Sequence, residues 1–215
     1  MKAAARLGRP RKEAARASAR EDLLNAAHEL MSERISIDVP VADIASRAGL
    51  NVALVTYYFG GKDALLLELA LRRQARFSGE LEKLLARRGA ADAKLRVHIR
   101  AMIRAFRRVP YLQRLNHRIL RGSTDEAARK LAEALVAPLA AFYATLIEDG
   151  VAEGIFRRVD PMHLYLTING ACDMLFSAQA SLRFGFGVEA VDDAAAEAYA
   201  DHLEATLLTG LLAPR

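Results

Sequence analysis

From Leu23 to Leu211 the apolar residues recur every three or four positions, and no stretch alternates apolar with polar as a half-buried strand does. That spacing confines the chain to an all-α fold. Glycine, proline and capping residues cut it into about nine helices. Ser18-Ala19-Arg20-Glu21 reads as a capping box, predicting a helix from 18 to about 34 with Leu23, Leu24, Ala27, Leu30 and Met31 on one face. Pro40 suits the first turn of a short second helix closed by Gly49, and Asn51 can cap a short third helix through Phe59. Gly60 and Gly61 precede a long helix from Lys62 to about Arg88. Further helices are expected over 92–108, 111–121, 123–150 with a kink at Pro138, 161–183 behind the Asp160-Pro161 cap, and 192–212. Arg183-Phe184-Gly185-Phe186-Gly187 reads as a loop.

The first three helices are short and adjacent, and the middle turn carries Gly49, which is the layout of a helix-turn-helix. Ala45, Ala48 and Ala53 allow close approach, while Leu50, Val55 and Phe59 can fill the space beneath. The opposite face presents Asn51, Val52, Thr56, Tyr57 and Tyr58, side chains able to reach base edges in a major groove about 12 Å wide. The tyrosine hydroxyls and Lys62, at a helix start, can meet phosphate oxygens. A buried strand or core helix is the competing reading of Val52-Ala53-Leu54-Val55-Thr56-Tyr57-Tyr58-Phe59, but it leaves the glycine turns and Lys62 without a role.

Charge points the same way. Residues 1–20 hold seven basic groups against one acid, Glu13, whereas the remaining residues carry 24 basic and 25 acidic groups. A basic arm on a neutral body suits a polyanion such as double-stranded DNA, and a solubilising tail is the alternative. With 53% hydrophobic and 27% charged residues, the 215-residue chain can bury a real core. No apolar run approaches the length of a membrane span, and no apolar segment of a signal peptide follows the basic N-terminus, so a cytoplasmic protein is expected. Cys172 is the sole cysteine, and no Cys/His cluster has metal-ligand spacing, so neither metal nor cofactor is expected. Phosphate-loop, G-x-S-x-G and H-E-x-x-H motifs are absent, which argues against an enzyme.

Ile44-Ala45, Ala48-Gly49-Leu50-Asn51, Tyr57-Tyr58-Phe59 and Lys62, followed by Leu65 and Leu66, resemble the TetR family of bacterial transcriptional regulators. The resemblance covers residues 18–77. Beyond it, only the helical layout and the turn from Gly154 to Pro161 are similar. Pro40 stands where a phosphate-contacting threonine is frequent, Thr56 where a tyrosine is, Tyr58 where a histidine is, and Val52 where a polar residue is. The resemblance implies a homodimer, most often a repressor, released from its operator by a small-molecule effector. It divides the chain into a basic arm (1–17), a DNA-binding domain (18–77, helix-turn-helix about 41–60) and a ligand-binding and dimerisation domain (78–215). A helical adaptor with an incidental basic arm is the rival reading.

The expected DNA-facing set is Arg9, Arg11, Val41, Asn51, Val52, Ala53, Thr56, Tyr57, Tyr58 and Lys62. Arg9 and Arg11 flank Pro10, and an extended Gly-Arg-Pro segment suits the minor groove of A/T-rich DNA. The resemblance further implies a pocket and a dimer face in the C-terminal part. Pocket candidates are aromatic or polar groups on apolar helices: Phe106, Tyr111, Phe142, Tyr143, Asn169, Cys172, Asp173 and Phe176. Asn169 and Asp173 share a helical face and either hold a polar ligand head or bond to protein groups; Cys172 reads as a packed residue. Dimer candidates are Leu164, Ile168, Ala171 and Leu175, with Tyr199, Leu203 and Leu207; an intrachain core competes for the same residues. Residues 94–121 contain nine basic groups, including the stripe Arg96, Arg100 and Arg104, and no acid. That stretch either draws an anion or is balanced by acids elsewhere in the chain.

Overall fold

The computed structural model describes residues 9–213, apart from the side chains of residues 9–15 and 76. Among these residues run ten helices: α1 (Arg9–Arg34), α2 (Val41–Arg47), α3 (Ala53–Phe59), α4 (Lys62–Ala86), α5 (Ala91–Arg108), α6 (Pro110–Gly122), α7 (Asp125–Ala152), α8 (Pro161–Ser177), α9 (Gln179–Phe186) and α10 (Asp193–Leu211). The sole extended pairing among them is an antiparallel bridge between Phe156 and Leu212. The chain forms two compact units, Met1–Ala70 and Leu71–Arg215.

In the first unit α1 contributes Leu23, Leu24, Ala27, Leu30 and Met31 to a core completed by Ile44 and Ala45 of α2, Val55 of α3 and Leu65, Leu66 and Leu69 of α4. With seven residues each, α2 and α3 are too short to persist alone, so packing on α1 and α4 holds them. Gly49 at φ +67 and Gly60 at φ +83 occupy left-handed backbone, which places the turns where the sequence predicts them. Arg34 meets Asp43 at 2.8 Å, and the Arg47 fork meets Glu33 at 2.8 and 2.9 Å. The hydrogen bond from Arg47 holds the Glu33 carboxyl below its ordinary range. These pairs are exposed, so they orient α2 against α1 more than they stabilise it.

In the second unit α5 sends Leu95, His98, Ile99, Met102, Ile103 and Phe106 into the interior, where Leu139, Phe142, Tyr143, Leu146 and Ile147 of α7 meet Leu164, Ile168 and Cys172 of α8 and Ala200, Leu203 and Leu207 of α10. Gly154 turns the chain at φ +71, and the amides of Ile155 and Phe156 both donate to the Gly150 carbonyl at 2.9 Å. The Phe156 ring then lies on Gly150 so closely that a Cβ there would sit 2.2 Å from its Cδ2. Arg157 Nε donates to the Gly210 carbonyl at 2.6 Å, and Arg157 N donates to Leu211 O at 2.8 Å, fastening the end of α10.

Several expectations are corrected. α1 begins at Arg9 rather than at Ser18: Pro10 is tolerated in a first turn, and the alanine-rich residues 14–19 favour helix. Ser18 is therefore interior, its hydroxyl 3.4 Å from Asp22, and residues 9–17 belong to the same helix. The 161–183 helix is interrupted at Ala178 (φ −90, ψ 31), which separates α8 from α9. The expected loop at 183–187 is helical to Phe186 and ends at Gly187 with φ +70. α7 begins at Asp125, and Thr124 caps it, accepting from Ala127 N at 3.3 Å. By length and composition α7 also passes as a bilayer-crossing helix, contrary to expectation. Its alanines supply apolarity without a continuous run of large residues, and Leu139, Phe142, Tyr143, Leu146 and Ile147 are spent on the core.

Candidate nucleic-acid interface

The α2–α3 turn is built so that α3 faces outward. Asn51 Oδ1 accepts from Ala53 N at 2.8 Å, satisfying one of the free amides at the helix start. Val55 points into the core, and Leu54, Tyr58 and Phe59 are half-buried around it. What remains outside is Asn51, Val52, Ala53, Thr56 and Tyr57. Val52 is 49% exposed and Tyr57 61% exposed. Val41 and Lys62, at the first positions of α2 and α4, are half-buried. The structure thus gathers Asn51, Val52, Ala53, Thr56 and Tyr57 on one open face. The Tyr57 and Tyr58 rings meet edge to face, with centroids 5.0 Å apart. The side chains of Arg9 and Arg11, and residues 1–8, lie outside the described residues.

Sequence reasoning missed Arg16. It sits on the part of α1 that was expected to be an arm, and its Nη2 donates to the Tyr57 hydroxyl at 2.7 Å. Its guanidinium carbon is 5.7 Å from the Tyr57 ring centre. Arg20 stacks likewise on Phe59, at 5.2 Å, and pairs with Glu68.

The second unit divides the remaining candidates. Phe106, Phe142, Tyr143 and Cys172 meet in one buried cluster, with Phe176 packed beside them. His98 belongs with them: it shares a 2.8 Å hydrogen bond with Tyr143 and lies 4.6 Å, ring to ring, from Phe142. Burial lowers the His98 pKa to about 3 and pushes Tyr143 well above the phenolic range. The signal was present, because His98 falls on the same face as Leu95, Ile99 and Met102. Burial, then the Asp173 charge, pushes the Cys172 thiol up to about 12, which makes it an inert packing group. Tyr111 is buried and its hydroxyl also rises to about 12, mainly by burial. Asn169 and Asp173 are half-buried, and Asp173 lies 3.7 Å from His117. Asn116, also missed, is 1% exposed, and among the described residues neither its amide oxygen nor its amide nitrogen meets a hydrogen-bond partner. It too occupies the buried face of its helix, with Tyr111, Leu115 and Ile119.

Leu164, Ile168, Leu203 and Leu207, expected at a dimer face, are buried in the chain's own core. Ala171, Leu175 and Tyr199 are half-buried, and the Tyr199 hydroxyl donates to Ala171 O at 3.4 Å. The outward face of α8 instead carries Met162, Leu166 and Met174, each more than half exposed, and α9 exposes Phe184 and Phe186 at about 80%. A shallow cleft of about 310 Å³ lies between Arg157, Asp160, His163, Thr167, Thr206 and Gly210, away from the pocket candidates. Two arginines of the α5 stripe pair within the chain, Arg96 and Arg100 with Glu204 and Arg100 also with Glu197 and Asp201; beyond the stripe, Arg107 pairs with Asp193.

A model of bacterial regulatory proteins of the tetR family matches residues 23–69, and a model of the tetracyclin repressor-like C-terminal domain matches residues 89–215. The HTH-type transcriptional regulator BetI of Brucella anthropi is 50% identical over 48 residues, 22% of this chain and 25% of that protein. BetI 1 of Chromohalobacter salexigens is 39% identical over 85 residues, 39% of this chain and 40% of that protein. The chain therefore matches these curated relatives over less than half their length. The transcriptional regulator FadR of Bacillus subtilis, solved with stearoyl-CoA, superposes with a TM-score of 0.68 at 19% identity, covering 88% of this chain and 98% of its own.

Proposed function

Because the chain belongs to the TetR family of bacterial transcriptional regulators, we propose that it works as a homodimeric repressor, released from its operator when a small molecule binds within residues 78–215. The observation that carries the DNA-binding half is the open face of α3 behind a glycine turn, with Asn51, Val52, Thr56 and Tyr57 free of core duties. Seven residues of helix span about 10 Å, enough to set three or four side chains against base edges. Val52 suits a thymine methyl, and Lys62 at the start of α4 suits a phosphate. One such helix reads only a few base pairs, so a two-fold pair of reading heads is needed for specificity.

The dimer face proposed is the exposed stripe Met162, Leu166, Gly170 and Met174 of α8, extended by Phe184 and Phe186 of α9. Its residues are four apart on one helix face, and Gly170 permits close backbone approach. The effector site proposed is the aromatic cluster of Phe106, Phe142, Tyr143 and Phe176, where His98, Asn169 and Asp173 can supply polar contacts. The effector must bind one arrangement of the dimer better than the other, or occupancy shifts nothing. A protein acting on bacterial DNA works in the cytoplasm, and nothing in this scheme requires catalysis or a cofactor. The test is selection of duplexes from a random pool by the purified protein, followed by a gel shift against excess nonspecific DNA. Enrichment of a two-fold symmetric sequence is expected; a pool that stays random overturns the reading.

A further inference from the structure

The Arg16–Tyr57 contact has a chemistry that folding alone does not call for. Both side chains are exposed, and an exposed pair of this kind adds little to stability. The Tyr57 oxygen accepts from Arg16, which leaves the phenolic proton to be donated elsewhere. Arg16 spends one of its five donors there. Its partner is also unlike those of its neighbours. Among the described residues of the first unit, Arg20 is paired with Glu68, Arg34 with Asp43, and Arg47 with Glu29 and Glu33. Among the described side chains, the partner of Arg16 is a neutral hydroxyl rather than a carboxylate. The edge contact with Tyr58 further restricts the Tyr57 ring.

We propose that Arg16 and Tyr57 form a single clamp for one backbone phosphate of duplex DNA, Arg16 supplying the charge and Tyr57 a directed hydroxyl. A phosphate oxygen set within hydrogen-bond reach of both groups takes the free phenolic proton and a second guanidinium donor. This rests on the DNA-binding reading above and adds α1 to the surface that touches DNA. Arg16 thereby positions the recognition helix without reading sequence.

The test uses the full chain, its selected duplex and an unrelated duplex, with affinity measured from about 50 to about 200 mM salt. Arg16→Gln is expected to weaken binding about tenfold at the low-salt end and to reduce the slope of log affinity against log salt by about 0.9 per bound protomer, on both duplexes alike. Arg16→Lys keeps the slope. Tyr57→Phe weakens binding with the slope intact, and the double variant binds about as well as Arg16→Gln alone, because one clamp is lost once. Unaltered melting temperatures show that the fold is intact. A slope unmoved by Arg16→Gln, or losses that simply add in the double variant, overturns the clamp while leaving the regulator reading in place. A wild-type protein that selects no duplex overturns both.

Discussion

Gly150→Ala should be destabilising in the natural chain and stabilising once Phe156 is removed. The new Cβ would stand 2.2, 2.7 and 2.8 Å from three atoms of the Phe156 ring, so the ring must retreat by roughly 1.2 Å to reach ordinary contact. Phe156 is 2% exposed, and its own amide is tied to Gly150 O, so no empty direction is open to it. Overpacking of this kind costs about 1–3 kcal/mol. Replacing glycine by alanine in a helix returns up to about 1 kcal/mol. The net expectation is a loss of about 1–2 kcal/mol, or roughly 2–8 °C in Tm for a chain of this size. Phe156→Ala alone should cost about 3–5 kcal/mol. In that background the clash is gone, so Gly150→Ala should gain up to about 1 kcal/mol. Urea denaturation of the four proteins at one fixed protomer concentration reads the cycle. If Gly150→Ala shifts stability in the same direction with and without the ring, the packing argument is wrong.

Two other expectations concern buried charge. The folded His98 does not protonate until about pH 3, whereas the unfolded one does so near 6.5. Below 6.5 the unfolded state holds the extra proton, so stability falls by about 1.4 kcal/mol per pH unit as the pH drops toward 3. His98→Gln, which keeps a polar partner for Tyr143 and cannot titrate, should flatten denaturation midpoints between about pH 6 and about pH 4.5; an equal slope in both proteins refutes the assignment. Arg100→Ala leaves the 4%-exposed Glu204 with Arg96 as its remaining cation and should cost about 3 kcal/mol, while Arg100→Met with Glu204→Leu should be close to neutral. Chemical denaturation distinguishes these outcomes, and a harmless Arg100→Ala would show that the pairing carries nothing.

The α2–α3 turn was legible because its geometry depends on residues with few substitutes: Gly49 and Gly60 occupy backbone that other residues rarely adopt, and the Asn51 side-chain oxygen bonds the Ala53 amide at the start of α3. In the second unit the Asp160 cap of α8 was legible in the same way, its oxygen accepting from Met162 N. The break at Ala178 carries no such mark, for neither glycine nor proline stands there. The opposite error occurred at 183–187, where two glycines suggested a loop but α9 tolerates Gly185 and uses Gly187 only to stop. Four of the dimer candidates lie in the core for a different reason. α8 carries large apolar residues on both its inner and its outer face, so periodicity does not distinguish Leu164 and Ile168, turned inward, from Leu166 and Met174, turned out. Arg16 was illegible because its partner lies 41 residues away in sequence.

The single guanidinium of Arg100 gathers Glu197, Asp201 and Glu204, three carboxylates from successive turns of α10. A slip of α10 along α5 by one turn would break up this set of three carboxylates on Arg100 and force Glu204 to exchange its arginine partners. The seam between these two helices is therefore a rivet, and it supplies a ruler for spectroscopy. Spin labels placed one on each side of it should keep their separation whatever else the molecule does, giving a fixed frame against which any movement of α6 or α9 can be measured.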